Sequence, residues 1–202
     1  HDFWYDSGFD EAAGNAQVDN FGRGGAGGDV FVAQIQHHSG RNRANMATPG
    51  DGFSPRMQVF VHDGKVVSSV TLTGATSPTT VGIAGFGPTS FNVTGPVVEA
   101  NDGTGVATDA CELLTNAVTG AIVLVDRGAC SFLTKVANVE NAGALGMILV
   151  NNRAGPPPGM GGTGNVTIGV LSTTDVDGAA IRTGLAAGPV TATLLRVTEP
   201  DR

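Results

Sequence analysis

Between residue 111 and about residue 197 the apolar positions gather into short unbroken runs separated by longer stretches of mixed polarity. AIVLVD, LGMILVNN, VTIGVLS and VTATLLRV are four such runs. Runs of this length rich in β-branched residues and bounded by turn signals predict strands. The intervening SFLTKVANVENAG and TDVDGAAIRTGLAAG predict helices, so the order reads as βαβ. Ser131 is placed to cap the first helix and Gly143 to end it, while Ser172, Thr173, Thr174 and Asp175 are candidate caps for the second. Upstream the pattern changes. VFVAQIQ and MQVFVHDG alternate in the manner of half-buried strands, with GRNRANMATPGDG between them. Residues 66 to 98 are Val, Thr, Ser, Gly and Pro in short runs broken by turn signals, which predicts a series of short strands. The predicted fold class is α+β, a β-rich domain with βαβ units joined to an N-terminal lobe. The change of composition divides the chain into residues 1–62 and 63–202.

Composition narrows what such a fold does. A chain of 202 residues holds one or two domains and can bury a real core. At 41% hydrophobic residues and mean hydropathy +0.09 it is expected to fold, and 31 glycines with few aromatics favour tight turns and sheet over a helical bundle. The net charge is −7 and Lys65 and Lys135 are the only lysines, which argues against nucleic acid or an anionic membrane as partner. No apolar run is long enough for a membrane-spanning helix. The opening HDFWYDSGFDE has neither an initiator Met nor a basic, apolar leader, so the sequence reads as starting in mid-protein or after processing.

Candidate chemistry is sparse. The glycine run GRGGAGGD lacks a following Gly-Lys-Ser/Thr and reads as a flexible surface loop, not a phosphate loop. His37 and His38 are adjacent, which on a regular strand sends them to opposite faces, and His62 is expected to end a strand. No His-Glu-x-x-His occurs, no histidine follows His62, and no serine has a Gly-x-Ser-x-Gly setting. Asp6, Asp10, Glu11 and Asp19 are possible calcium ligands, although nothing in their spacing forms a regular ligand loop. The turn after AIVLVD offers Asp126, Arg127, Gly128 and Cys130 and matches no catalytic recipe. Cys111 and Cys130 admit two readings, a disulfide or two buried thiols. The exposed turn around Cys130 and the polar loop before Cys111 favour the disulfide, which would be worth roughly 3 kcal/mol by chain entropy.

Two stretches carry a resemblance to known families. CELLTNAVTGAIVLVDRGACSFLTKVANVENAGALGMILVNN, followed by TIGVLSTTDVDGAAI, resembles a protease-associated (PA) domain, the non-catalytic module inserted in secreted peptidases and sorting receptors. HDFWYDSGFDEAAGNAQVDNFGRGGAGGDVFVAQIQ, NRANMATPGDG and PRMQVFV resemble the segment of fungalysin-type secreted zinc metallopeptidases that precedes their zinc helix. That resemblance implies a partial thermolysin-like lobe in residues 1–62 and a PA domain in residues 63–202. It implies zinc in the intact parent, with the His-Glu-x-x-His ligands and the downstream glutamate beyond Arg202, and TEPDR similar to the approach to that helix.

The same resemblance gives NRANMAT the position of the cleft-edge strand of thermolysin-like peptidases, where an extended substrate pairs with main-chain groups. It makes Arg43, Ala44 and Asn45 substrate-binding candidates, with main-chain bonds from Ala44, and Arg43 stands where these families place asparagine. It further implies a disulfide at the turn near Cys130, protein or peptide substrates, the remainder of the catalytic domain as partner, and an extracellular location. Two function classes follow: part of a zinc metalloendopeptidase without its own metal ligands, or a PA-type module that binds peptides or proteins.

Overall fold

A computed structural model describes residues 2–199; His1 and residues 200–202, which include most of TEPDR, lie outside the described residues. The protein is mixed α+β, sheet-rich with few helices, and divides into two compact units, residues 2–65 and 66–199.

The first unit opens with a short helix α1 (Asp2–Asp6) and a 3-10 turn (Glu11–Ala13), capped by the Asp10 carboxylate at the Ala13 amide. Three strands follow, β1 (Val32–Arg41), β2 (Ala44–Ala47) and β3 (Arg56–Val61), in the order β1-β3-β2. β3 runs parallel to β1 and antiparallel to β2, and its Phe60 and Gln58 are buried.

The β1–β3 register breaks between Gln34 and His37, and Gln36 takes a left-handed backbone at φ 54°. That irregularity overturns the expected split of the histidine pair. The bulge interrupts the period-two alternation, and the His37 and His38 rings stack at 5.1 Å instead of facing opposite ways. The glycine run is also more tied down than expected of a flexible loop, since the Gly28 amide donates to the carbonyls of Gln17 and Val18.

The second unit is one seven-stranded sheet, β4 (Val66–Thr73), β5 (Gly82–Ile83), β6 (Phe91–Glu99), β7 (Ile122–Asp126), β8 (Gly146–Val150), β9 (Gly169–Thr173) and β10 (Thr191–Thr198), in the order β4-β10-β6-β7-β8-β9-β5. Helices α2 (Phe132–Asn141) and α3 (Asp175–Ala187) follow β7 and β9. β6 to β9 are mutually parallel. Alternation along the strands assigns the helices to opposite faces: Val123 and Val125 share a core with Val136 and Val139 of α2, whereas Ile122 and Leu124 share one with Ile181 of α3. Covered on both sides, the central strands are continuous apolar runs, each fully buried Ile, Leu or Val contributing about 1.5–3 kcal/mol.

Ser131 caps α2 at the Thr134 amide and Gly143 follows it at φ 82°. Of the four candidate caps for α3, Thr174 takes the role, accepting from the Asp177 amide. The last βαβ reading is corrected. VTATLLRV crosses the sheet and lies antiparallel between β4 and β6, where its alternate residues Ala192 and Leu194 are buried.

Candidate substrate-binding edge

Asn42 turns the chain from β1 into β2. It sits in the left-handed region at φ 56°, which asparagine tolerates better than most residues. Its amide nitrogen donates to Val61, its side-chain nitrogen to the Asp63 carboxylate, and its side-chain oxygen accepts from the Asp63 amide at 2.6 Å. Arg41 Nε adds a bond of 2.8 Å to the same carboxylate. The bonds from Asn42 and then Arg41 hold the Asp63 carboxyl below its usual range. β2 thus starts from a pinned turn.

β2 is a terminal strand of its sheet, and all four of its residues are exposed. Antiparallel pairs alternate between residues that exchange main-chain bonds and residues that do not. The Phe60 amide donates to the Arg43 carbonyl at 3.1 Å, which makes Arg43 opposite Phe60 a bonded pair. In the observed register Asn45 opposite Gln58 is then bonded, while Ala44 opposite Val59 and Met46 opposite Met57 are not. Ala44 and Met46 therefore turn their N–H and C=O groups to the free edge, and Arg43 and Asn45 turn theirs to β3.

The three candidate residues are contiguous, and the register separates their roles. The Arg43 guanidinium lies over the Phe60 ring at 4.6 Å and donates to the Ser39 carbonyl at 3.3 Å. Gly40 admits it: a Cβ there would stand 2.6 Å from the Arg43 terminal nitrogen. An apolar cleft of about 410 Å³ borders the strand, lined by Phe9, Phe31, Met46, Thr48 and Pro55. No local sequence pattern signals it, because its walls come from separate segments.

The turn after β7 has its polar groups engaged structurally. Asp126 accepts from Arg182 at 2.9 Å and from the Thr108 hydroxyl at 2.6 Å, and Arg127 donates to Asn151 at 3.1 Å. Cys111 and Cys130 form a disulfide, with Cα atoms 5.7 Å apart. Beneath it the Lys135 ammonium donates to the Asp109 carbonyl and to Cys111 Sγ at 3.2 Å. Burial pulls the Lys135 pKa down against the opposing pull of Asp109. This turn carries no nucleophile paired with a base.

Residues 1–170 match the family described as Fungalysin metallopeptidase (M36). The chain belongs to the fungalysin family. Among curated proteins, this fungalysin chain is 51% identical over 61 residues to the extracellular metalloproteinase mep of Aspergillus flavus and to extracellular metalloproteinase 5 of Trichophyton rubrum. In each case the match covers 30% of this chain and 10% of the relative's length. Among solved structures, a zinc aminopeptidase from Bacillus subtilis is similar at TM-score 0.50 and 26% identity, over 69% of this chain and 32% of that one. A subtilisin-like protease from an Antarctic Pseudoalteromonas shares the fold at TM-score 0.53 and 15% identity, over 86% of this chain and 49% of that one. No helix among the described residues is long and apolar enough to cross a membrane.

The family name implies a metal, for which zinc is the usual choice. The donors present do not fit a catalytic zinc. Among the described residues the clusters of three potential metal ligands are carboxylates throughout, and His37, His38 and His62 belong to none of them. Of the carboxylates considered for calcium, Asp10 caps the 3-10 turn, Asp19 accepts from the Phe21 amide, and Asp6 lies 3.5 Å from Arg23. Glu11 alone of the four belongs to a cluster.

Proposed function

We propose that this chain is the part of a secreted zinc metalloendopeptidase that supplies one edge of the substrate cleft and a PA domain, with the zinc ligands on the remainder of the catalytic domain. The observation that carries the reading is the free edge of β2, where Ala44 and Met46 present unpaired main-chain groups beside an apolar cleft. An extended peptide laid against that edge would accept a hydrogen bond from the Ala44 N–H and donate one to its C=O, as an added strand does. The cleft beside Met46 suits an apolar substrate side chain. Because the described donors do not fit zinc, this chain's part in hydrolysis is to bind and orient the peptide, and no proton transfer is assigned to it.

The reading of residues 63–202 as a PA domain draws support from the sequence motifs and from the structural use of the turn after β7, where the disulfide and the Asp126–Arg182 pair stand in place of catalytic groups. Likeness to both a zinc aminopeptidase and a subtilisin-like protease is what a module independent of any one hydrolytic chemistry would give. The extracellular assignment rests on the names of the fungal relatives.

The test uses the intact parent enzyme. Ala44→Pro removes an outward N–H while leaving the bonds of Arg43 and Asn45 to β3. Loss of one bond worth about 0.5–1.5 kcal/mol should lower kcat/KM by about two- to tenfold with zinc content unchanged. Arg43→Ala should do less on a neutral peptide, because its main chain faces β3 and its guanidinium covers Phe60. Wild-type efficiency of a folded Ala44→Pro enzyme on neutral and acidic peptides would remove β2 from the cleft and leave the PA-type binding module as the better account.

A further inference from the structure

Glu11, Asp29 and Asp51 come from three separate segments of the first unit, yet each offers a carboxylate oxygen within 4.8 Å of the others. Glu11 is 7% exposed and Asp29 2% exposed. Each segment is already tied to the next: Asp29 accepts from the Gln17 amide at 3.0 Å and the Gly52 amide at 3.1 Å, and Asp51 accepts from the Ala26 amide through both oxygens, at 3.0 and 2.9 Å. Gly25 allows the close approach, since at φ +74° its Cβ would stand 2.4 Å from Glu11 Cγ.

A second observation points to a ligand. Glu11 Oε1 accepts from the Gln17 amide nitrogen, but the buried Oε2 has no hydrogen-bond partner among the described residues. The unpartnered Oε2 is therefore a carboxylate oxygen belonging to the cluster itself. An unpartnered carboxylate oxygen in this setting carries a desolvation cost that a cation would remove. Burial first, then the charges of Asp51, Asp29 and Asp10, push the Glu11 carboxyl up, against a single lowering bond from Gln17. The adjoining cavity of about 340 Å³ is lined by Tyr5, Asp10, Glu11, Arg23, Gly25 and Asp51, and the Arg23 guanidinium lies 5.0 Å from the Tyr5 ring centre and 3.5 Å from Asp6.

The other carboxylate cluster, Asp102, Asp109 and Glu112 in the second unit, is built differently. Lys135 brings its ammonium 3.8 Å from Asp109 and supplies the positive charge from within the chain.

We propose that Glu11, Asp29 and Asp51 form a calcium site that locks the 3-10 turn, the end of the glycine run and the turn after β2 to one another. The donors are all oxygens, three of them carboxylates, which suits a hard cation with six to eight flexible oxygen ligands and excludes the nitrogen and sulfur donors a structural zinc prefers. Water entering by the cavity completes the set. The three carboxylates lie in the first unit's loops, outside β2, and would hold the cation whether or not β2 binds substrate.

The experiment uses the 202-residue chain stripped with a chelator and dialysed. Calorimetric titration with calcium chloride should show one site, with a matching rise in melting temperature, and magnesium should bind far more weakly. Asp51→Asn, at an exposed residue where folding is least at risk, should weaken calcium binding by roughly tenfold or more, and Glu11→Gln should do the same. Glu112→Gln in the other cluster should leave binding unchanged. Terbium in place of calcium should luminesce on aromatic excitation, since Tyr5 lines the same cavity, and calcium should quench it by displacement. Absence of a binding heat and of a melting shift in the wild-type chain overturns the proposal, as does wild-type affinity in Asp51→Asn; equal affinity for magnesium overturns the choice of calcium.

Discussion

Among the described residues Lys135 is the largest side chain fully withdrawn from solvent, and its ammonium sits under the disulfide between Asp109 and Cys111. Replacing it by Met keeps most of the volume but leaves Asp109, itself 6% exposed, as an unpaired buried charge. Removing one partner of a buried pair costs about 3–5 kcal/mol, and equilibrium unfolding of Lys135→Met in urea should show a loss near the lower figure. The alkaline limb supplies a second signature. Burial makes the folded state hold this proton less tightly than the unfolded chain, whose value is the ordinary 10.5. Just below that pH the unfolded state binds more protons, so wild-type stability relative to Lys135→Met should rise with pH through that window. A flat difference between the two proteins would mean that the ammonium is not desolvated. At this scale the sequence was only partly legible. Ser131 and Gly143 could be read as helix ends because capping is a local matter. Asp29 and Asp51 could not, because they meet Glu11 only through the folded loops and nothing in their neighbours marks them.

Elements formed by local periodicity were readable, whereas their placement was not. β7 and β8 are apolar throughout, as strands covered on both faces must be, and the sequence runs that predict them end within a residue or two of the observed limits. The position of β10 between β4 and β6 depends on pairing partners some hundred residues away, which no periodicity encodes. The bulge at Gln36 is likewise silent, since glutamine is not a residue that announces a left-handed backbone. Packing between elements also reverses a rule that holds for an isolated helix. Gly178 lies inside α3, where Ala would ordinarily be favoured by about 1 kcal/mol. A Cβ at Gly178 would stand 2.2 Å from Val150 Cγ1 and 3.0 Å from Val150 Cβ, both on β8. Neither strand nor helix can yield without disturbing the core they share, so Gly178→Ala should destabilise the protein by about 1–3 kcal/mol in chemical denaturation. A stabilised variant would show that the α3–β8 contact is looser than the structure has it. The double variant Gly178→Ala, Val150→Ala should recover part of the loss, because the clash lies with that valine's methyl groups.

For the molecule as a whole, the two units differ in how they bury apolar surface. Both hydrophobic clusters draw every member from residues 66–199, and Val70, Leu194 and Ile181 belong to the same cluster although they come from β4, β10 and α3. The first unit leaves Phe3, Trp4, Phe21 and Phe53 exposed, and beside Phe60 its buried residues are mostly polar, among them Glu11, Asn15, Asn20, Asp29 and Gln58. A chain whose apolar residues are buried by its own elements has the means to fold alone, and a chain of residues 66–199 meets that condition. Expressed separately under oxidising conditions, it should give dispersed amide resonances and a single cooperative thermal transition. The disulfide sets the scale of its dependence on redox state. Closing a loop with a sequence separation of 19 is worth roughly 3 kcal/mol by chain entropy, so reduction should lower the melting temperature by roughly 10 °C without abolishing the fold. Residues 1–65 alone should show no such transition, since their exposed aromatics find no core within the unit. Loss of cooperative melting in oxidised 66–199 would mean that its core is not self-sufficient and that the first unit contributes to its stability.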